Sequence, residues 1–334
     1  MKTIDSLRRR RLLASGVAAA TLAPFAGAAV AQQAWPSRPI RLISPYPAGG
    51  SNDLTARMFA PRIGASIGGT VFVENVAGAN GTIGSLRVAR AEPDGHTLIV
   101  SSVVSHAVLA APPSSLPYDA LNDFAHIGLF GTFPNLLVVN ASVKARTVQE
   151  LIAEAKAKPG SLTFGSGGSG STQHLSGELF KLRTGVDMLH VPYKGGGPAL
   201  MDVVAGVLSL QFENLVTAIP HVKSGRLRAL AVTSGRRHAA LPDIPTMQEA
   251  GVREYDISSW TGISAPPKTP EAIVNAIAKG VSDAWADPAV SAQLADAYLQ
   301  APEARTPAQY RDFISNNIKL WETVLKASGT KLTP

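Results

Sequence analysis

An apolar run at residues 40–43 ends at Ser44 and gives way to Pro45-Tyr46-Pro47-Ala48-Gly49-Gly50-Ser51-Asn52-Asp53, after which a helical spacing sets in near Leu54. The pattern predicts a strand, a glycine-rich turn and a helix N-terminus, where free backbone N–H groups attract anions. The stretch lacks the Lys-Ser/Thr ending of a P-loop and the spacing of a dinucleotide fingerprint, so alone it also fits a plain structural turn. The arrangement recurs twice. A strand at 162–164 leads through Gly165-Ser166-Gly167-Gly168-Ser169-Gly170-Ser171 into a helix over about 172–183. A strand at 186–191 leads through Pro192-Tyr193-Lys194-Gly195-Gly196-Gly197-Pro198 into a helix over 199–204, with Pro198 in its first turn.

The remaining periodicity alternates strands and helices, as in βαβ units. The first helix is expected over about 53–67, burying Leu54, Met58, Ile63 and Ile67 and stopping at Gly68-Gly69. Strands follow at 71–74 and 97–101, with a helix over 83–90 between them. Two further strands are expected at 127–130 and 136–139, with Asn140 as the crossing into a second domain. Thr147 and Glu150 have the spacing of a capping box. Strands at 208–212 and 227–232 flank a helix over 218–223, and a short helix is expected from Leu241 to Ala250. Helices over 271–285 and about 307–327, with a shorter one opening at Pro288, supply apolar faces to cover the first domain's sheet. The first domain is then discontinuous, residues 35–139 and 235–334, with 140–234 inserted.

Composition adds limits. The chain has 334 residues, 45% hydrophobic and 16% charged, and contains no cysteine, which excludes disulfides and thiol chemistry. Arg8 to Arg11 precede an apolar stretch and Ala29-Val30-Ala31, so residues 1–31 read as a cleaved export signal with a possible twin-arginine register. Removing them leaves 303 residues and lowers the formal net charge from +7 to +3. No dense basic, aromatic-bearing stretch points to nucleic acid.

Pro45 to Asp53, Val73-Glu74-Asn75, Pro93-Asp94-Gly95, Leu189-His190-Val191-Pro192-Tyr193-Lys194-Gly195, Pro220-His221, residues 227–233, Leu241-Pro242-Asp243-Ile244-Pro245-Thr246 and Ser258-Ser259-Trp260-Thr261-Gly262 together resemble the TctC/Bug family. These are substrate-binding proteins of tripartite tricarboxylate transporters, and the resemblance spans nearly all of the mature chain. It implies an α/β, two-lobed periplasmic-binding-protein-like clamp, each lobe a sheet flanked by helices, that captures a small carboxylate with the help of ordered water. It also implies a periplasmic location, no cofactor or metal, a monomer, and transient docking to membrane transporter subunits. The residues that match are Tyr46, Ala48, Gly49, Gly50, Ser51, Asn52 and Asp53, with Ser102 and His106, on the first lobe. On the second they are Gly168, Ser169, Ser171, Thr172, Tyr193, Lys194, Gly195 and Asn214. The family commonly has Asp where Glu213 stands and Ala-Pro where Pro47-Ala48 stands; these departures bear on the ligand rather than the fold.

Each candidate has a structural alternative. Tyr46 and Tyr193 either flank a ligand or seal their loops. Lys194 either attracts a carboxylate or is an exposed solubilising lysine. Asp53 either caps its helix or orients water, since facing a carboxylate directly would repel it; a ligand amine would make it a partner. Trp260 lines the crevice or supports a hinge. His174 and His190 read as structural. Two rival functions remain: a sensor without transport, and a serine-dependent hydrolase pairing Ser169 or Ser171 with His174, although no G-x-S-x-G elbow is present.

Overall fold

The computed structural model describes residues 35–193, 195–303, 306–330 and 332; the export signal expected at residues 1–31 lies outside them. Trp35 to Ser37 form a short irregular segment with a cis Trp35–Pro36 peptide. From Arg38 onward the chain builds one sheet of nine strands among the described residues. Its strands are β1 (Ile40–Ser44), β2 (Val71–Asn75), β3 (Thr97–Ser102), β4 (Ala125–Asn140), β5 (Thr163–Ser166), β6 (Leu189–Pro192), β7 (Leu210–Asn214), β8 (Leu227–Val232) and β9 (Ser258–Ala265).

Strand β4 divides this sheet into two lobes. Residues 125–134 pair antiparallel with β9, which continues through β3 to the parallel pair β1 and β2. Residues 135–140 pair with β7 and β8, and β7 continues to the parallel strands β5 and β6. The two strands expected at 127–130 and 136–139 are thus one strand of 16 residues. Pro134, opposite Ser258, is the last residue paired with β9, and it stands where β4 changes partners.

The first helix, α1 (Ser51–Ile67), follows β1; α2 (Thr82–Ala89) follows β2 after a 3-10 turn; α3 (Val148–Ala157), α4 (Thr172–Thr184), α5 (Gly196–Val204) and α6 (Leu215–Lys223) belong to the other half; and α7 (Glu271–Ala286), α8 (Pro288–Asp296) and α9 (Pro307–Ser328) end the chain. The buried stripe of α1 is Thr55, Ala56, Phe59, Ala60 and Ile63, not Leu54, Met58 and Ile67. Phe59 is its one large ring. It stacks on Phe130 of β4 at 4.3 Å and meets Trp285 of α7 edge-on at 6.2 Å. The small residues beside it let α7 approach so closely that a Cβ on Gly280 would lie 3.0 Å from the Ile63 backbone.

Thr147 caps α3 by accepting from the Glu150 N–H at 3.1 Å, but Glu150 accepts from the Arg146 N–H rather than from Thr147, so the expected box is displaced by one residue. Residues 241–250 are a series of turns, pinned where Thr246 bridges Val232, rather than a helix. Helix α9 has a complete capping box from Thr306 and Gln309. It does more than cover the first sheet: Ile314, Trp321, Val324 and Leu325 share one apolar core with Leu175, Leu179 and Phe180 of α4.

A cavity at three helix N-termini

A cavity of about 660 Å³ opens at the carboxyl ends of β1, β3 and β7, the edge at which α/β sheets bind ligands. It is walled by three corners and floored by the middle strands. The first corner contributes Tyr46, Gly49, Ser51 and Asn52, then Leu54, Thr55 and Met58 from α1; Ser102, Val103 and Val104 lie beside it. The second contributes Ser171, Thr172 and Gln173 at the start of α4. The third contributes Asn214, Leu215, Val216 and Thr217 at the start of α6. Phe133 and Pro134 of β4 and Ser259, Trp260 and Thr261 of β9 form the floor, with Ala297 and Tyr298 at one side. Among the described residues that line it, none is Asp, Glu, Lys, Arg or His.

In the first corner Asp53 folds the loop rather than facing the cavity. It is 2% exposed. Its Oδ2 accepts from the Gly49 N–H at 2.9 Å and from Arg57 Nε at 3.1 Å, and its Oδ1 accepts from Asn75 Nδ2 at 2.9 Å. Asn75 also donates to the Tyr46 carbonyl at 3.0 Å. Gly49 adopts φ +83°, a conformation that favours glycine. Burial disfavours the Asp53 carboxylate, but the bonds from Arg57, Gly49 and Asn75 outweigh it and hold the carboxyl below its ordinary range.

The Tyr46 hydroxyl sits over Gly81, where a Cβ would come within 3.0 Å of it. It shares a 2.7 Å bond with Ser102, which shares one of 3.0 Å with Ser105, whose hydroxyl lies 2.8 Å from His106 Nδ1. His106 is fully buried against Phe124, behind the wall. Burial, then the neighbouring His126, hold its pKa well below the ordinary imidazole value, so it is neutral. It reaches the cavity only through Ser105 and Ser102. Ala48 and Gly50 shape the same loop without lining the cavity, and Gly50 is the N-cap residue of α1.

In the second corner Ser171 caps α4: its hydroxyl accepts from the His174 N–H at 3.3 Å and donates to the Gly168 carbonyl at 2.7 Å. Gly168, at φ +116°, and Ser169 lie in the loop behind it. His174 Nδ1 accepts from the Gly170 N–H at 3.1 Å, and its ring stacks on His190 at 3.9 Å. Ser171 and His174 therefore do not form the hydroxyl–imidazole pair of a hydrolase: the Ser171 hydroxyl is committed to the cap, and His174 Nδ1 to the Gly170 N–H. Ser259 of β9 donates to Thr172 Oγ1 at 3.0 Å, a direct bond between the halves.

Among the described residues of the glycine corner at 192–198, none lines the cavity. Tyr193 donates its hydroxyl to Asp202, and Gly195 is the N-cap residue of α5 at φ +116°. Lys194 lies outside the described residues. The corner instead backs the second one, since a Cβ on Gly167 would meet the Gly196 nitrogen at 3.0 Å and one on Gly196 would overlap the Gln173 side chain. The third wall of the cavity is the glycine-free β7–α6 corner, organised by Glu213. This carboxylate is 1% exposed. It accepts from Gln173 Nε2 at 2.8 Å, from Gln211 Nε2, and from Thr217 Oγ1 at 2.6 Å. Burial pushes its pKa up, and these neutral donors do not offset that.

Trp260 is almost completely buried yet forms part of the floor. Its Nε1 donates to Asn317 of α9 at 3.1 Å and its ring meets Tyr310 edge-on. A Cβ on Gly262 would overlap the Tyr310 hydroxyl, which bonds Ser101 at 2.7 Å.

Among the expected residues, Tyr46, Gly49, Ser51, Asn52, Ser102, Ser171, Thr172, Asn214 and Trp260 thus meet at one cavity. Sequence reasoning missed its apolar members. The helical spacing puts Leu54 and Met58 on the core side, although the alternative stripe 55/56/59/60/63 is present in the same helix. Val216 and Phe133 carried no signal, because an apolar residue at an element's end reads the same inside or outside.

Two lobes, a cavity between them and helix N-termini aimed into it define a solute-binding receptor of the periplasmic type. The model of the tripartite tricarboxylate transporter family receptor matches residues 55–330, and the chain belongs to that family, whose members are periplasmic binding proteins rather than enzymes. Protein BugT of Bordetella pertussis is 40% identical over 308 residues, which cover 91% of this chain and 94% of that one. A Rhodopseudomonas palustris protein solved with adipate is 34% identical, with a TM-score of 0.75, covering 89% of this chain and 99% of its own. MatC of the same organism, solved with malate, is 31% identical, with a TM-score of 0.72, covering 87% and 100%.

Proposed function

We propose that the protein captures a small carboxylate between its lobes and delivers it to the membrane subunits of a tripartite tricarboxylate-type transporter. The observation that carries this is the convergence of three helix N-termini, at Ser51, Thr172 and Leu215, on one cavity whose polar lining, among the described residues, consists of amides and hydroxyls without a charged side chain. Partial positive charge at helix N-termini and oriented N–H groups hold an anion without a salt bridge, and ordered water bridges what short side chains do not reach. The adipate-bound and malate-bound relatives support a carboxylate as the class of ligand.

In this reading Gly49, Ser51, Asn52, Thr172 and Asn214 contact the ligand, with Tyr46, Ser102, Ser171 and Trp260 shaping its surroundings. Ala48, Gly50, Asp53, His106, Gly168, Ser169, Tyr193 and Gly195 position them. The lobes divide as 35–139 with 235–334 against 140–234, and closure about the connecting strands completes the shell. The grouping of β5 to β8 within 163–232, with β1 to β3 and β9 outside it, supports that division. Export by the twin-arginine route and a monomeric state belong to the same reading.

The test is a thermal-shift screen of mono-, di- and tricarboxylates on the mature chain, residues 32–334, followed by calorimetry. One saturating, one-to-one acid is expected. Absence of saturable binding by any carboxylate, or ester hydrolysis by the same sample, would overturn the reading. Loss of export in cells lacking the twin-arginine translocase tests the route.

A further inference from the structure

Eight large hydrophobic side chains are strongly exposed among the described residues, and two of them, Leu54 at 50% and Val216 at 53%, line this one cavity. They come from opposite walls. Leu54 is in the first turns of α1 and Val216 in the first turn of α6. Met58, one turn beyond Leu54, continues the same wall, and Phe133 and Trp260 lie on the floor. The packing of α1 explains the exposure: Phe59 and its small neighbours take the core, which leaves Leu54 and Met58 turned to the cavity. The cavity's 660 Å³ corresponds to roughly twenty waters at about 30 Å³ each.

We propose that the ligand is a carboxylate with an unsubstituted hydrocarbon body, an alkyl chain or an aryl ring, rather than a hydroxylated di- or tricarboxylate. This rests on the carboxylate reading above and specifies it. An acid group held at the first N–H groups of α1 or α6 places its carbon skeleton beside Leu54 or Val216, which belong to those same helix starts. Hydroxyl groups set against Leu54, Met58 and Val216 would lose water without regaining a partner. A methylene in the same position gains roughly fourfold in affinity when buried.

Calorimetry on the mature protein with hexanoate, phenylacetate and adipate, against malate and citrate, tests this. At least one of the first three is expected to bind tenfold or more tightly than both hydroxy acids. The double variant Leu54→Asn/Val216→Asn is expected to weaken that acid at least tenfold while leaving the melting temperature unchanged, because both side chains are exposed. Val216→Thr, which keeps the shape, is expected to weaken it severalfold and serves if the double variant does not fold. Malate or citrate binding as tightly as the best apolar acid would overturn the proposal while leaving the carboxylate reading intact. So would an apolar acid whose affinity ignores the substitutions. Failure of all five acids to bind would overturn this proposal, and the carboxylate reading falls with it only if the wider carboxylate screen also finds no saturable binding.

Discussion

The corner at residues 45–53 and the corner at 213–217 present helix N-termini to the same cavity, and each is held from behind by a buried carboxylate. Their electrostatics are opposite. Asp53 has a cation, Arg57, together with the Gly49 N–H and the Asn75 amide, and its pKa is lowered. Glu213 has only the neutral donors Gln173, Gln211 and Thr217, and burial raises its pKa. The loop that turns through a left-handed glycine is fixed by a carboxylate with a cationic partner, whereas the corner that follows directly from strand β7 is held by a carboxylate with neutral donors alone. The wall braced by Glu213 is therefore the one that tolerates perturbation better.

The largest effect is expected at the charged brace. Asp53→Ala leaves the Gly49 N–H, the Asn75 amide and Arg57 without their shared acceptor. It should lower the unfolding free energy by about 3 kcal/mol and weaken acid binding by more than tenfold, as read by urea denaturation and calorimetry. Near-normal values for both would show that the loop holds itself. At the neutral brace, Glu213→Leu strands Gln173, Gln211 and Thr217 and should cost about 2 kcal/mol. Glu213→Gln should stay within about 1 kcal/mol of the native protein, because its carbonyl can accept from both glutamines and its amide can donate to Thr217.

The two carboxylates should also respond to pH with opposite sign. Asp53, with a lowered folded pKa, contributes stability that is present above the unfolded value of about 3.9 and is lost as pH falls through the folded value. Glu213, with a raised folded pKa, contributes stability that is complete below the unfolded value of about 4.3 and declines as pH rises through the folded one. The native protein should therefore gain on Glu213→Gln as pH is lowered toward 4, in denaturation curves taken from pH 4 to 8; a constant difference would contradict the raised pKa. Buried histidines give a background common to both proteins. His126, His174 and His190, each held to about 4 mainly by burial, weaken the fold as pH drops below about 6.5.

Smaller effects should separate lining residues from backing ones. Tyr46→Phe removes the hydroxyl shared with Ser102 and should cost about 1 kcal/mol and severalfold in affinity. Tyr193→Phe removes only the bond to Asp202, and calorimetry should find affinity within twofold of native. A tenfold loss there would return the 192–198 corner to the cavity.

Much of this protein was readable along the chain because its signals are local. The strand–turn–helix corners at 45–53 and 165–174 announce themselves through glycine, serine and helical spacing, and both reach the cavity. Strands β1 and β8 and helices α7 and α9 follow from periodicities that a short window contains. Errors arose where the deciding partner is distant in sequence. Residues 127–130 and 136–139 read as two strands because their continuity depends on β9 on one side of Pro134 and on β7 and β8 on the other. The Glu213 corner carried no glycine, so its own residues gave little sign that α6 begins at the cavity.

The amino-acid order by itself determined the alternation of strands and helices, the family resemblance, and which turns expose amides and hydroxyls, since each depends on neighbours a few positions apart. Tertiary packing alone decided which of those turns share a cavity, and that Asp53 and His106 stand behind the wall. It also decided which stripe of α1 is buried. That helix has two apolar stripes, and only the arrival of Phe130, Trp285 and Gly280 from distant parts of the chain selects Phe59 for the core and leaves Leu54 and Met58 to the cavity.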